Sequence, residues 1–127
     1  MADWVLDASA LLAVIRGESG ADRVGPLIVD SLFGTVNLAE VTTRLADLGF
    51  SLAEIDGLTE DLECEVVSFD ESLARQAGLL RFETRPLGLS AGDRACLALA
   101  QREGLPVLTA DRAWARLDVG VEVVLIR

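Results

Sequence analysis

Short apolar runs alternate with helical stretches along nearly the whole chain, and this alternation restricts the possible folds most. The runs that predict strands are continuously apolar, and the longer segments between them repeat hydrophobic residues at helical spacing. Strands that are apolar on both faces are typical of a parallel sheet covered by helices on both sides. Since no repeat, linker or low-complexity tract interrupts the pattern, we predict that residues 1–127 form one α/β domain.

The individual elements follow from the same pattern. Gly17 and Gly49 end two of the helices, Gly25-Pro26 weakens another, and Ser51 with Glu54 has the spacing of a capping box. The predicted strands are 4–6, 32–36, 64–68, 107–109 and 121–126. The predicted helices are 8–15, 19–30, 38–48, 51–62, 70–83, 90–104 and 111–117.

The composition excludes several kinds of chemistry. The chain has no histidine, all of its basic residues are arginine, and its formal net charge is −10 at pH 7. Without histidine there is no Ser-His-Asp or Cys-His catalysis, and without lysine there is no Schiff base and no P-loop lysine. A protein this acidic does not hold nucleic acid by general attraction to phosphate. Any chemistry on nucleic acid must therefore be local and must bring in its own cations.

Cysteine content and hydropathy set further expectations. Cys64 and Cys96 lie far apart in apolar stretches without zinc-ligand spacing, which favours buried free thiols over a metal site. No stretch is long and apolar enough to span a membrane, and the N-terminal residues lack the positive charge of a signal peptide. We therefore expect a cytoplasmic protein.

Four carboxylates occupy strand ends or first helical turns, and they are the candidate catalytic and metal-binding residues. Asp7 ends the first strand, which we expect to be central, and Asp111 follows the strand 107–109. Glu40 lies one turn into the helix after the second strand, and Asp93 lies in the first turn of the helix from Ser90. If the strands are parallel, all four point to the edge of the sheet where ligands bind.

Helix capping is the alternative explanation for each carboxylate. Asp7 and Asp111 could be N-caps, and Asn37 with Glu40 or Ser90 with Asp93 could form capping boxes. Ser68 with Glu71 has this spacing without any other sign of a site. Asp93, however, shares a helical face with Leu89, Cys96, Leu97 and Ala100, and it should therefore point inward.

Clustered carboxylates would repel one another and lose hydration, and a bound cation removes both penalties. Ligands that are all oxygen select hard metals, so the cofactor expected is Mg²⁺ or Mn²⁺. Such cations could bind a phosphate oxygen, activate water and stabilise a leaving oxygen without help from histidine or lysine. The sequence thus permits a metal-dependent hydrolase that acts on phosphodiesters.

With these positions in view, the chain resembles the PIN-domain family, and within it the VapC-type toxins of bacterial toxin–antitoxin pairs. The resemblance rests on the ordered set DASALLA at 7–13, NLAEV at 37–41, LSAGDRACLALA at 89–100 and VLTADRAW at 107–114. It implies a three-layer α/β/α fold with a five-stranded parallel sheet. It also implies a Mg²⁺- or Mn²⁺-dependent endoribonuclease that cleaves RNA, forms a homodimer and is inhibited by a cognate VapB-like antitoxin.

The same resemblance assigns roles to particular residues. Asp7, Glu40, Asp93 and Asp111 match the acidic quartet of the family; Asp7 and Asp93 are the surest metal ligands, and Glu40 is expected to act through a water. Ser9 and Thr109 match hydroxyl positions that orient carboxylates or water.

Other surfaces give weaker signals. Arg16, Arg94, Arg112 and Arg116 could contact RNA, although pairing with the abundant acids is the simpler role for each; Arg112 and Arg116 are four apart and could share one side of a helix. Trp114 could stack on a base, but packing is favoured over stacking. The apolar stripes of 19–30 and 51–62 predict a groove for an antitoxin helix.

Three other functions remain open from sequence. A PIN-fold nuclease of RNA processing would have the same site without a toxin role. A receiver-like phosphoryl-transfer domain also has an aspartate after a central strand, but it usually needs a lysine that this chain lacks. A non-catalytic binding module would use its acids only as helix caps.

Overall fold

All five strands of this computed structural model, which describes residues 1–127, pair in parallel in one sheet. The strands are β1 (Trp4–Leu6), β2 (Ser31–Gly34), β3 (Glu65–Val67), β4 (Val107–Thr109) and β5 (Val123–Leu125). Their order across the sheet is β3-β2-β1-β4-β5, so β1 is central, as the sequence predicts. The α/β fold with a five-stranded parallel sheet is therefore confirmed.

Helices connect the strands. The α-helices are α1 (Ala8–Arg16), α2 (Ala21–Val24), α3 (Thr35–Asp47), α4 (Leu52–Glu60), α5 (Glu71–Leu79), α6 (Arg81–Thr84) and α7 (Ala91–Glu103). Three 3₁₀ helices span Gly25–Asp30, Arg85–Leu87 and Arg112–Arg116. None of the helices has the length and apolar character required to cross a membrane.

The sheet separates two hydrophobic cores, because neighbouring residues of a strand point to opposite faces. In β1, Val5 packs into the core under α5 and α7, whereas Leu6 packs into the core under α1 and α3. Val107 and Leu108 of β4 divide in the same way. Both faces of the central strands are therefore buried, which explains why their sequences are continuously apolar.

Several predicted elements differ from the observed ones. The predicted helix 19–30 changes to a 3₁₀ helix at Gly25, since Pro26 has no N–H for an α-helical hydrogen bond. The predicted helix 70–83 divides at Leu80, and the segment after Asp111 is 3₁₀ rather than α-helical. Leu48 lies beyond the end of α3 and is exposed, although it continues the apolar repeat of that helix.

Helix capping follows the sequence in part. Ser51 and Glu54 form the predicted capping box at the start of α4. Ser68 and Glu71 do not, because Asp70 is the N-cap of α5 and accepts a hydrogen bond from the Leu73 N–H at 2.8 Å.

Candidate functional site

The carboxyl edge of the sheet brings the four predicted carboxylates to one side of the molecule. Asp7 follows the central strand β1, and Asp111 lies two residues beyond β4. Glu40 lies in α3, which begins directly after β2, and Asp93 lies in the first turn of α7, which runs back from this edge. Parallel pairing of β1, β2 and β4 is what places these distant parts of the chain together.

Asp7 is the most enclosed of the four. Its side chain is only 5% exposed, and its Oδ2 accepts hydrogen bonds from Ser9 Oγ at 2.7 Å and Thr109 Oγ1 at 2.9 Å. The pKa of Asp7 is raised from 3.8 to about 6, mainly by burial; the hydrogen bonds from Ser9 and Thr109 oppose this shift, and the charges of Asp93 and Glu40 add to it. A negative charge is therefore unfavourable at this position unless a positive charge is nearby.

Ser9 and Thr109 connect Asp7 to the loop after β4. Ser9 Oγ accepts the Ala110 N–H at 2.9 Å, and Thr109 Oγ1 accepts the Asp111 N–H at 3.1 Å. Each hydroxyl thus donates to the buried carboxylate and accepts from the backbone, so its proton has a defined direction. The two side chains hold Asp7 in one orientation relative to the backbone of Asp111.

Glu40 is half-buried beside the first turn of α7. Its Oε1 accepts a 2.6 Å hydrogen bond from Asn37 Nδ2, and the same nitrogen donates to the Gly92 carbonyl at 3.1 Å. Burial raises the pKa of Glu40, Asn37 opposes this shift, and the charge of Asp93 adds to it. Asn37 is inside α3, whose N-cap is Gly34, so the capping box suggested by the Asn37 and Glu40 spacing does not form.

Asp93 and Asp111 both act as caps in this structure. Asp93 is half-buried, and with Ser90 it forms a capping box in which Asp93 Oδ2 accepts the Ser90 N–H at 3.0 Å. Asp111 is exposed, and its Oδ1 accepts the Ala113 N–H at 3.0 Å. The capping interpretation is therefore correct for these two residues, although both lie at the same edge of the sheet as Asp7.

The Cys96 thiol shows that three of the carboxylates surround a common region. Cys96 is fully buried behind Asp7, and its Sγ donates to the Leu6 carbonyl at 3.7 Å. Its pKa is raised well above the usual value by burial, and next by the charges of Asp7, Asp93 and Glu40. Asp7, Glu40 and Asp93 therefore form one electrostatic group.

The chemistry of this group fits a hard divalent cation, since all of its donors are carboxylate oxygens and its most buried member has a raised pKa. In their present positions, however, no three histidine, cysteine, aspartate or glutamate side chains could hold a metal ion together. Asp93 and Asp111 each direct one carboxylate oxygen to a capping hydrogen bond.

The four candidate arginines have different environments. Arg16 pairs with Glu18 at 3.2 Å, and Arg94 is half-buried and donates to the Ala77 carbonyl of α5 at 2.9 Å. Arg112 and Arg116 are exposed on the last 3₁₀ helix, where residues three apart share a side and residues four apart do not. The shared side expected for Arg112 and Arg116 is therefore not formed.

The structure also tests the predictions for Trp114 and for the apolar stripes of 19–30 and 51–62. Trp114 is fully buried, which confirms packing rather than base stacking. Among residues 19–30 and 51–62, Val29 and Leu52 are the large hydrophobic residues that stay exposed, so the predicted groove is wrong in its location. Their other large apolar side chains, Val24, Leu27, Ile28, Ile55, Leu58 and Leu62, pack in or against the core.

The largest groove instead lies between α1 and α3. It has a volume of about 540 Å³ and is lined by apolar residues of both helices together with Glu40 and Arg44. The apolar lining consists of Ala8, Leu12, Val36 and Ala39. Because Glu40 lines it, the groove opens directly beside the cluster formed by Asp7, Glu40 and Asp93.

Two residues at the site, Asn37 and Gly92, were not predicted from the sequence to belong to it, and Asn37 was considered only as a capping partner of Glu40. Asn37 is 1% exposed and lies on the same face of α3 as Val41 and Leu45. A polar residue within an apolar stripe was the available signal, because such a residue must find hydrogen-bond partners inside the protein. Nothing local marks Gly92, whose contact with Glu40 joins residues 52 positions apart.

Comparisons with known proteins agree with this fold. The PIN domain family matches residues 4–120. No curated protein sequence matches the chain. Solved structures match it closely in fold at low identity, which shows a shared architecture rather than a shared activity.

Three of these structures illustrate the likeness. A toxin–antitoxin complex from Klebsiella pneumoniae has a TM-score of 0.78 at 18% identity, covering 98% of each chain. DNA-bound VapBC from Salmonella typhimurium has a TM-score of 0.76 at 19% identity, covering 100% of each chain. A VapC toxin from Mycobacterium tuberculosis that cleaves the sarcin–ricin loop has a TM-score of 0.72 at 18% identity, covering 94% of this chain and 99% of that one.

The parallel strand order, the carboxylates at its carboxyl edge and the match over residues 4–120 lead to one conclusion: this chain belongs to the PIN domain family.

Proposed function

We propose that this protein is a Mg²⁺- or Mn²⁺-dependent endoribonuclease and the toxin of a toxin–antitoxin pair. The observation that carries the proposal is the burial of Asp7 at the end of the central strand, with the charges of Glu40 and Asp93 beside it. A purely structural role does not explain why three acids lie together, because each negative charge makes ionisation of the other two less favourable.

Asp7, Asp93 and Asp111 are the proposed metal ligands, with Glu40 acting directly or through a water. A divalent cation bound there would supply the positive charge that an anionic phosphodiester and its transition state require. Ser9 and Thr109 keep the Asp7 carboxylate in a fixed orientation through their two hydrogen bonds. The net charge of −10 otherwise opposes RNA binding, so the attraction has to be local to this site.

The decisive experiment compares Asp93→Asn with the wild-type protein in an RNA cleavage assay with and without Mg²⁺. Asparagine retains an oxygen acceptor for the capping hydrogen bond, so the fold should persist while cleavage is lost. Asp56→Asn is the matched control, because it removes the same charge from an exposed position on α4. Cleavage by Asp93→Asn at the wild-type rate, or cleavage that survives chelation of metals, would refute the proposal.

A VapB-like antitoxin is the proposed partner. The support is that the similar structures from Klebsiella pneumoniae and Salmonella typhimurium are a toxin–antitoxin complex and a VapBC complex, matched over almost the whole chain. The groove between α1 and α3 is the proposed docking surface, since an antitoxin helix there would also cover Glu40. We further propose that the protein is cytoplasmic. We also propose that it forms a homodimer, and light scattering can measure the molar mass of the purified chain.

Growth of cells that express the chain tests the toxin role separately from the chemistry. Expression should arrest growth, Asp93→Asn should abolish the arrest, and co-expression of a small protein encoded beside the chain should relieve it. RNA cleavage without growth arrest would instead indicate a PIN-fold nuclease of RNA processing.

A further inference from the structure

Asn37 is a polar side chain in an otherwise apolar position. It is 1% exposed, and the residues one and two turns further along the same face of α3, Val41 and Leu45, are completely buried. Burying an amide costs free energy unless its polar atoms are hydrogen-bonded. Its presence there therefore calls for a specific role of its two hydrogen bonds.

Both hydrogen bonds leave from the same nitrogen and end on different helices. Asn37 Nδ2 donates to Glu40 Oε1 at 2.6 Å within α3, and to the Gly92 carbonyl at 3.1 Å in α7. The Gly92 carbonyl can only accept a hydrogen bond, which fixes the orientation of the Asn37 amide. The bond to Glu40 is short for an N–H···O hydrogen bond, which typically measures about 2.7–3.2 Å between the heavy atoms.

The residue that Asn37 reaches in α7 is the immediate neighbour of Asp93. Gly92 itself lies against Glu40, so closely that an added Cβ would come within 2.7 Å of Glu40 Oε2. Glu40 is thus enclosed between the Asn37 amide on one side and the Gly92 backbone on the other. Glu40 therefore lies against the turn of α7 that carries Asp93.

Repulsion works against that arrangement. Burial raises the pKa of Glu40, the hydrogen bond from Asn37 lowers it, and the charge of Asp93 adds to the rise. Without a donor at position 37, the flexible Glu40 side chain would be free to swing away from Asp93 and toward the groove between α1 and α3.

We propose that Asn37 is a positioning residue, which holds Glu40 against the first turn of α7 and so presents Glu40 and Asp93 to a divalent cation as a pair. This inference rests on the proposed function, since it concerns the geometry of the same site. It adds a residue that touches neither the cation nor RNA and acts only through Glu40.

Calorimetric titration with Mn²⁺ tests the inference without relying on catalysis. We expect Asn37→Ala to weaken Mn²⁺ binding by about tenfold or more, which is typical when a residue that orients a metal ligand is removed. In a Glu40→Ala background, the same substitution should change the affinity by less than about twofold, because the side chain that it positions is absent.

The comparison of the two backgrounds separates positioning from general damage to the fold. An equal loss of affinity in both backgrounds, or no loss in either, would overturn the inference. Thr42→Ala is the matched control, because its hydroxyl also bonds a backbone carbonyl, that of Ala39 in the same helix, at 2.9 Å but without contact with the site. If Asn37→Ala does not fold, Asn37→Ser takes its place, with a weaker effect of the same sign.

The outcomes also distinguish the inference from the proposed function. Wild-type protein that binds no Mn²⁺ would overturn both. Wild-type protein that binds Mn²⁺ and cleaves RNA, together with an Asn37→Ala variant of unchanged affinity, would overturn the role of Asn37 alone.

Discussion

Gly92 in α7 lies directly against the carboxylate of Glu40 in α3, and a Cβ at Gly92 would stand 2.7 Å from Glu40 Oε2. Glycine is needed here for space rather than for backbone conformation, because the residue has ordinary helical geometry inside α7. The contact joins the two helices that carry Glu40 and Asp93.

Gly92→Ala should destabilise the wild-type protein by about 1 kcal/mol. Alanine favours helix over glycine by about 0.5–1 kcal/mol, but its Cβ would displace the Glu40 carboxylate and break the hydrogen bond from Asn37. Urea denaturation of the two proteins measures the difference.

The same substitution in a Glu40→Ala background should have the opposite sign. With no carboxylate to displace, only the helix preference remains, and Gly92→Ala should then stabilise by about 0.5–1 kcal/mol. A destabilisation of the same size in both backgrounds would show that the Cβ collides with something other than Glu40.

The stability of the metal-free protein should fall between about pH 4 and pH 6 because of Asp7. Its pKa is 3.8 in the unfolded chain and about 6 in the folded protein, so the folded state binds more protons in this range. The free energy of unfolding therefore decreases as the pH rises through this range, and Asp7 accounts for about 3 kcal/mol of the decrease. Above the pKa of the folded state, Asp7 causes no further change.

Asp7→Asn tests this directly, because it removes the titrating carboxyl with little change in shape. The variant should be more stable than the metal-free wild-type protein at pH 7, and the difference should shrink toward pH 4. Thermal unfolding at a series of pH values in the presence of a chelator checks it, and parallel pH profiles for the two proteins would contradict it.

Thr109→Val should destabilise the protein by about 1–3 kcal/mol. Thr109 is completely buried, and valine keeps its shape while removing the donor to Asp7 and the acceptor of the Asp111 N–H. Thr109→Ser retains the hydroxyl and is the control for the loss of hydrogen bonding. Chemical denaturation measures the free energy of unfolding of both variants. An equal loss of stability in Thr109→Ser and Thr109→Val would contradict the role of the hydroxyl.

Both cysteines should resist thiol reagents in the native protein. Cys64 is 7% exposed and Cys96 is fully buried, and burial raises the pKa of both thiols, which suppresses the reactive thiolate. A colorimetric thiol assay should find none accessible in buffer and both in denaturant, since both are free. Rapid labelling of Cys96 in buffer would show that the site opens to solvent behind Asp7.

Much of the fold could be predicted from the sequence because it follows from local rules. Continuously apolar runs such as 107–109 predict buried parallel strands, and the order of strands and helices predicts that strand ends carry the site. Caps were also predictable, since Ser51 with Glu54 and Ser90 with Asp93 bond across only three residues.

Contacts between distant segments were not predictable in this way. Arg94 is next to Asp93 in sequence, yet it donates to the Ala77 carbonyl of α5, because the packing of α5 on α7 brings that helix end within reach. The apolar stripes of 19–30 and 51–62 gave the wrong place for a groove, since periodicity shows which face is apolar but not what covers it.

By itself, the sequence determined that the chain forms a parallel α/β sheet with Asp7 at the end of its central strand, because hydrophobic periodicity acts over neighbouring residues. Only the tertiary structure decided that Glu40 lies between Asn37 and Gly92, and that Arg94 donates to the Ala77 carbonyl. These arrangements depend on helix packing and on the choice among side-chain conformations, which no local pattern of residues encodes.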